Sequence, residues 1–285
     1  MTNRVELHRQ ALRAAMRQRV SLGYRLEQPI CIFELISRVG LETRFVPAPS
    51  LEGVYSPEDL AIVLSSLRPS GRQRFTAAHE LGHHVFRHGV MFEELREAQD
   101  TVTPEEILAD SFAAYLLMPR LAVVHAFHRR GILPVSASPR DIYAISGAFG
   151  VGYETLIKHM YLALELITPN RARLLLRTGP AHIRAELLGT MTPTELFLAD
   201  KHWTGRPIDL QVADTLLLPS TSLIDLPRLT SRTGPNGTHV YTACQPGIVQ
   251  VADRANNWSS FVRISRRDYV GSALHRYQED PDHDS

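Results

Sequence analysis

The sequence predicts an α+β protein, a mostly helical N-terminal part with a small antiparallel sheet followed by a β-rich C-terminal part. Three observations predict it. Helical periodicity dominates up to residue 166, short β-type runs (TLLLP, HVYTAC, GIVQVA, FVRIS) dominate from 197 to 270, and the character changes after Pro169. With 285 residues, 44% of them hydrophobic and 21% charged, the chain has apolar surface enough for more than one core.

Residues 5–20 set Val5, Leu12, Ala15 and Met16 at helical spacing between arginines. A second helix covers 29–39, with Pro29 at its start and Gly40 past its end. LETRFVPA reads as a strand, and GVYS and LAIVLSS as a hairpin turning at Ser56-Pro57-Glu58-Asp59. RPSGRQ reads as a polar loop before the helix FTAAHELGHHVFRHG, which has Thr76 near its start and Gly89 at its end. Residues 91–103 read as irregular. Thr103 then caps PEEILADSFAAYLLM, which Pro104 opens and Pro119 ends. A further helix is expected over 120–131, and two more, 139–149 and 152–166, meet at Gly150-Val151-Gly152 in the manner of a helix-turn-helix. The expected units are a domain over 1–134, the helix-turn-helix-like segment 135–170, a connector 171–196, a β-rich domain 197–270 and a flexible polar tail 271–285.

The 31 basic and 30 acidic residues leave a net charge of +1, so no global field draws the chain to nucleic acid or an anionic membrane. Cys31 and Cys244 make no disulfide framework, and the arginine-studded N-terminus has neither a signal sequence nor a membrane span, so a cytoplasmic location is expected.

Chemistry concentrates in HELGH. On a helix His79 and His83 are four residues apart and differ by about 40° around the axis, so both imidazoles can share one ion. Glu80, beside the first histidine, is placed to act as a general base on water at that ion. Continued helical geometry turns His84 and His88 away, by about 140° and about 180° from His79. Chance alone gives about 0.04 such motifs in a chain of this composition, which makes helical context the stronger argument.

A catalytic zinc takes three protein ligands, and the helix over 104–118 offers Glu105, Glu106 and Asp110 for the third. Glu106 and Asp110 share a face at i, i+4, so Glu106 is read as the ligand and Asp110 as hydrogen-bond partner of a ligand histidine. Glu105 is better explained as a solvated carboxylate at a helix N-terminus. Asp110 stands next to Ala109, Phe112, Ala113 and Leu116, where an unpaired carboxylate is costly. Tyr55, Tyr115 and His88 are open alternatives for stabilising an oxyanion.

FTAAHELGHH followed by EILADSFAAYLLMP resembles the ImmA/IrrE family of zinc metallopeptidases, and AFGVGYETLIKHM is similar to the helix-turn-helix-like segment that follows their catalytic core. The resemblance spans about residues 25–168. It implies a zincin-like, gluzincin-type domain with HExxH ligands His79 and His83, third ligand Glu106 and base Glu80, holding zinc or manganese. It also implies a site-specific endopeptidase whose protein substrate is a helix-turn-helix repressor, cleaved to relieve repression in a stress response or a mobile element. The rivals are a DNA-binding regulator and a ligand sensor with a structural metal. The second helix of the 139–166 pair, with a single lysine and no arginine over YETLIKHMYLALEL, lacks the cations that phosphate contact requires, so DNA binding is not expected. Trp203, Trp258 and Tyr241 read as core aromatics.

Overall fold

In the computed structural model, which describes residues 4–89, 91–94, 103–224, 227–235 and 238–278, the first helix already departs from its expected face. Helix α1 (Arg4–Ser21) buries Leu7, Ala11, Ala14, Ala15 and Arg19, while Val5 and Leu12 face outward. The alanine stripe brings α1 close to a later helix, α4 (Pro104–Leu117), and Val5 and Leu12 are left on the outer side. The buried Arg19 guanidinium donates to the carbonyls of Leu116, Arg25 and Gln28, so it sits at the negative end of α4.

Helix α2 (Ile32–Val39) ends at Gly40, whose φ of 88° satisfies the last carbonyls from the left-handed region. Three strands follow, β1 (Glu42–Val46), β2 (Leu51–Ser56) and β3 (Ala61–Ser65), and β4 (Met91–Glu94) comes after the next helix. With β13 (Gly271–Ser272) they make a sheet of order β13-β1-β3-β2-β4. The sheet is mixed rather than antiparallel: β2 and β3 form the expected hairpin, but β1 lies parallel to β3 on the side away from β2. Strand β4 falls where irregular chain was expected, and pairs with β2.

Helix α3 (Ser70–Phe86) starts several residues before Phe75, taking in the stretch expected as a polar loop. Distant partners account for the extension. Gln73 donates to the carbonyls of Ser65 and Ser66, and the Glu195 carboxylate accepts from both the backbone N–H and the hydroxyl of Ser70, capping the helix where no local side chain does. The other end comes earlier than expected, because Arg87 adopts a left-handed φ of 58° and leaves His88 and Gly89 outside the helix.

Thr103 caps α4 as expected. The run Pro104–His128, which includes α5 (Arg120–His128), is long and apolar enough to cross a membrane by composition, but it is interrupted at Met118-Pro119 and buries Phe112, Ala113 and Leu116 in the core. Helices α6 (Pro139–Phe149) and α7 (Tyr153–Leu162) meet at Gly150, with a capping box of Ser138 and Asp141 opening the first. The expected connector contains two helices, α8 (Pro169–Leu176) and α9 (Pro180–Leu188).

Beyond them, β5 (Leu196–Leu198), β7 (Thr215–Leu218), β10 (His239–Ala243) and β9 (Leu229–Thr233) form one sheet in that order. Strands β6 (Ile208–Gln211), β12 (Trp258–Ser265), β11 (Gly247–Asp253) and β8 (Leu223–Ile224) form a second. Between them Trp203, Trp258 and Tyr241 are core residues, separate from the larger core of the helical part. The last part of the chain is not wholly a tail. Gly271 and Ser272 pair with β1, and Arg276 lies 4.2 Å from the Phe33 ring centre and 3.7 Å from Asp209, so a buried carboxylate and an aromatic face hold this segment against the first sheet. Residues 279–285 of the expected tail lie outside the described residues.

One buried histidine makes the fold pH-dependent. His159 on α7 donates from Nε2 to the Met118 carbonyl at 2.9 Å, and burial pushes its pKa down to about 4. The unfolded chain therefore takes up this proton first. The stabilising contribution is complete above about pH 6.5 and is lost as pH falls toward 4, by an amount on the order of 3 kcal/mol. Chemical unfolding followed from pH 7 to pH 4 is expected to show this slope, and His159→Gln, which keeps a donor, to flatten it.

Candidate metal centre

The centre is assembled where α3 crosses α4. Gly82, in the middle of HELGH, makes the crossing close: a Cβ there would lie 3.0 Å from the Ala109 Cα and 3.3 Å from the Phe112 ring. On another side α3 packs on β2 at Gly53, where a Cβ would lie 2.4 Å from the Thr76 methyl and 3.1 Å from Glu80 Oε1. Gly53 stands at the irregularity in the β2–β4 register, a usual place for a strand glycine against which another group packs.

At the crossing His79, His83 and Glu106 converge. The two histidine Nε2 atoms are 2.9 Å apart, and the Glu106 oxygens lie 3.5 Å from His79 Nε2 and 3.6 Å from His83 Nε2. All three side chains are buried, at 1%, 1% and 6% exposure. Tetrahedral ligands at zinc distances stand about 3.3 Å apart, so two imidazoles and a carboxylate at these separations suit that ion in both chemistry and spacing. Among the described residues this is the one group of three that meets the spacing for a metal.

The far nitrogens of both imidazoles are engaged. His79 Nδ1 is 2.8 Å from Asp110 Oδ1, so the ring donates there and turns the Nε2 lone pair inward. Asp110 thus reaches a histidine, but from the surface, its side chain 52% exposed; it is not a carboxylate in an apolar setting, because its helix turns it away from Phe112 and Leu116. His83 Nδ1 is 2.9 Å from His88 Nδ1. The expectation that His88 points elsewhere is therefore wrong, and the reason is the left-handed turn at Arg87, which brings the chain back toward the helix after α3 has ended. His84 does face away, its Nδ1 2.7 Å from the Tyr55 hydroxyl. Burial lowers the pKa of both His84 and His88, favouring neutral rings. Glu105 is exposed, its carboxyl held below the usual range by its own backbone N–H and by the Thr103 hydroxyl.

Glu80 is fully buried between α3 and β2. Of the alternatives for an oxyanion donor, Tyr55 is occupied by His84 and His88 by His83, whereas Tyr115 lines a cavity that His79 also lines. Burial raises the Tyr115 pKa, keeping the phenol a donor at neutral pH.

Two groups that local sequence reading missed fasten α3 to the C-terminal part: Glu195 at its N-terminus, and Asp209, whose Oδ2 is 3.6 Å from the Arg74 guanidinium. Although burial pushes it upward, Arg263, Arg276 and Arg74 together hold the Asp209 carboxyl well below the usual range.

Residues 39–161 match the family model described as the IrrE N-terminal-like domain, a peptidase family. Over 130 residues the chain is 26% identical to the radiation response metalloprotease IrrE of Deinococcus radiodurans, a match covering 43% of this chain and 40% of that protein. The chain thus aligns with less than half the length of that relative. A solved Mycobacterium tuberculosis transcriptional regulator aligns at 20% identity over 57% of this chain and 49% of its own, with a TM-score of 0.36.

Because Gly82 and Gly53 set two close approaches, each is expected to tolerate alanine poorly. Gly82→Ala pushes α4, and Glu106 with it, away from the histidines; it should cost about 1–3 kcal/mol in unfolding free energy and weaken zinc binding measured by competition with a chromogenic chelator. Wild-type zinc affinity in a folded Gly82→Ala protein would show that the crossing distance does not govern the centre.

Proposed function

Because residues 39–161 match the IrrE N-terminal-like peptidase family model and the chain is similar to a metalloprotease of that kind, we propose that this chain is a zinc-dependent, site-specific endopeptidase with a zincin-like, gluzincin-type centre. Its proposed ligands are His79, His83 and Glu106. The observation that carries this reading is the convergence of two Nε2 atoms and one carboxylate in a buried cluster, with Glu80 on the same helix as both histidines. The donor set also accommodates manganese.

Zinc held there supplies Lewis acidity, drawing the pKa of water toward neutrality and polarising a peptide carbonyl. Glu80 takes the proton from the attacking water and passes it to the leaving amine nitrogen as the peptide C–N bond breaks. The Glu80 side chain is buried where Gly53 of β2 approaches α3. Asp110 fixes the His79 tautomer that turns the Nε2 lone pair toward the proposed ion, and His88 does the same for His83 when it accepts from Nδ1. Tyr115 is the donor proposed for the developing oxyanion.

The proposed substrate is a helix-turn-helix repressor, and the proposed consequence is relief of repression in the cytoplasm. This rests on the family likeness and on a cavity beside the centre whose walls come from α1, α3, α4, α6, α7, α9 and β5, which favours particular segments.

Glu80→Gln is expected to keep one zinc per chain by elemental analysis while cleavage of the co-expressed repressor encoded nearest to it falls about 10²–10⁴-fold. His83→Ala is expected to lose the metal as well. Cleavage by Glu80→Gln at the wild-type rate would remove Glu80 from the reaction.

A further inference from the structure

A cavity of about 940 Å³ adjoins the proposed centre, with His79 and Asp110 in its wall. Most of its wall lies within the family match, but part comes from outside it: α9 contributes Arg184, and β5 contributes Phe197. It is larger than one side chain needs and within the range of sites that hold multi-group ligands, roughly 300–1,000 Å³. Phe75, Ala114, Tyr115 and Val151 make much of its lining apolar. The charged groups are unequally committed. Glu195 lines the cavity, but its two oxygens accept from Ser70, and Asp110 faces His79. Arg184 hydrogen-bonds the Tyr143 hydroxyl, while its buried Nε has no partner and no carboxylate pairs with it among the described residues.

We propose that this cavity receives the substrate segment on one side of the scissile bond and selects a large apolar side chain next to that bond together with a carboxylate that pairs with Arg184. The inference rests on the endopeptidase reading above and adds to it the chemistry of the peptide. An apolar side chain gains by leaving water for the Phe75 and Tyr115 surfaces, and an acidic group pairs with the guanidinium of Arg184, which lines the cavity and has no carboxylate partner among the described residues. The wall drawn from α9 and β5 gives the C-terminal part a direct role in choosing the substrate.

The test uses the zinc-loaded full-length protein and a randomised peptide library. Cleavage sites are read by mass spectrometry for the wild type, and retained peptides are sequenced for Glu80→Gln, which binds without turnover. Both sets are expected to be enriched in a large apolar residue beside the cut, or the equivalent position, with Asp or Glu within a few residues. Ala114→Phe should lower kcat/KM for such peptides at least tenfold, with Ala163→Trp at the cavity wall as the second variant should the first not fold. Arg184→Gln should abolish the acidic preference while leaving the apolar one. Cleavage without either enrichment overturns this inference and leaves the endopeptidase reading standing. Enriched retention without any wild-type cleavage supports the cavity's selectivity and overturns the endopeptidase reading. Neither retention nor cleavage overturns both.

Discussion

The close contact of α3 with α4 at Gly82 and Ala109 is the constraint on which the rest depends. A helix can present His79 and His83 side by side through its own geometry, but the third donor must come from elsewhere, and Glu106 reaches them only because no Cβ separates the two backbones. The same proximity lets Asp110, one turn along α4, take the outer nitrogen of His79. One glycine thus governs both the proposed metal ligand and the group that orients its neighbour.

Much else serves to hold α3 in place. Gly53 allows β2 to lie against Glu80, so the carboxylate is enclosed without being displaced. Gly71, at the start of α3, would carry a Cβ 3.1 Å from the backbone of Val151 and Gly152, which seats the α6–α7 turn against the same helix. From the C-terminal part, Glu195 caps α3 and Asp209 reaches Arg74. The Asp209 carboxylate is also within 3.7 Å of Arg206, Arg263 and Arg276. A buried charge of this kind is tolerated only with such company, and removing one partner typically costs several kcal/mol. The two parts of the chain are therefore joined at the helix that carries the candidate site.

What was legible in the sequence follows from range. HELGH is a local pattern whose geometry a helix dictates, and the i, i+4 pairing of Glu106 with Asp110 is of the same kind, so the grouping of those residues could be read before any fold was known. The positions that failed depend on contacts made across the chain. The buried face of α1 differs from the one its larger apolar residues suggest, because a close helix crossing prefers Ala11, Ala14 and Ala15 to Leu12. The start of α3 has no local signal, because its cap, Glu195, lies 125 residues away. The position of His88 is not legible from helical periodicity, because one left-handed residue, Arg87, ends the helix before it. Gly53 had a faint signal, a glycine in a strand, but nothing local says what packs against it.

The central claim is that His79, His83 and Glu106 together hold a metal ion, and anomalous diffraction at the zinc edge from crystals of the zinc-loaded protein tests it most directly. The account predicts one strong peak per chain, bonded to both Nε2 atoms and to a Glu106 oxygen at about 2.0–2.2 Å, with Asp110 still on His79 Nδ1. A peak elsewhere, or one at the histidines with Glu106 turned away, would contradict it.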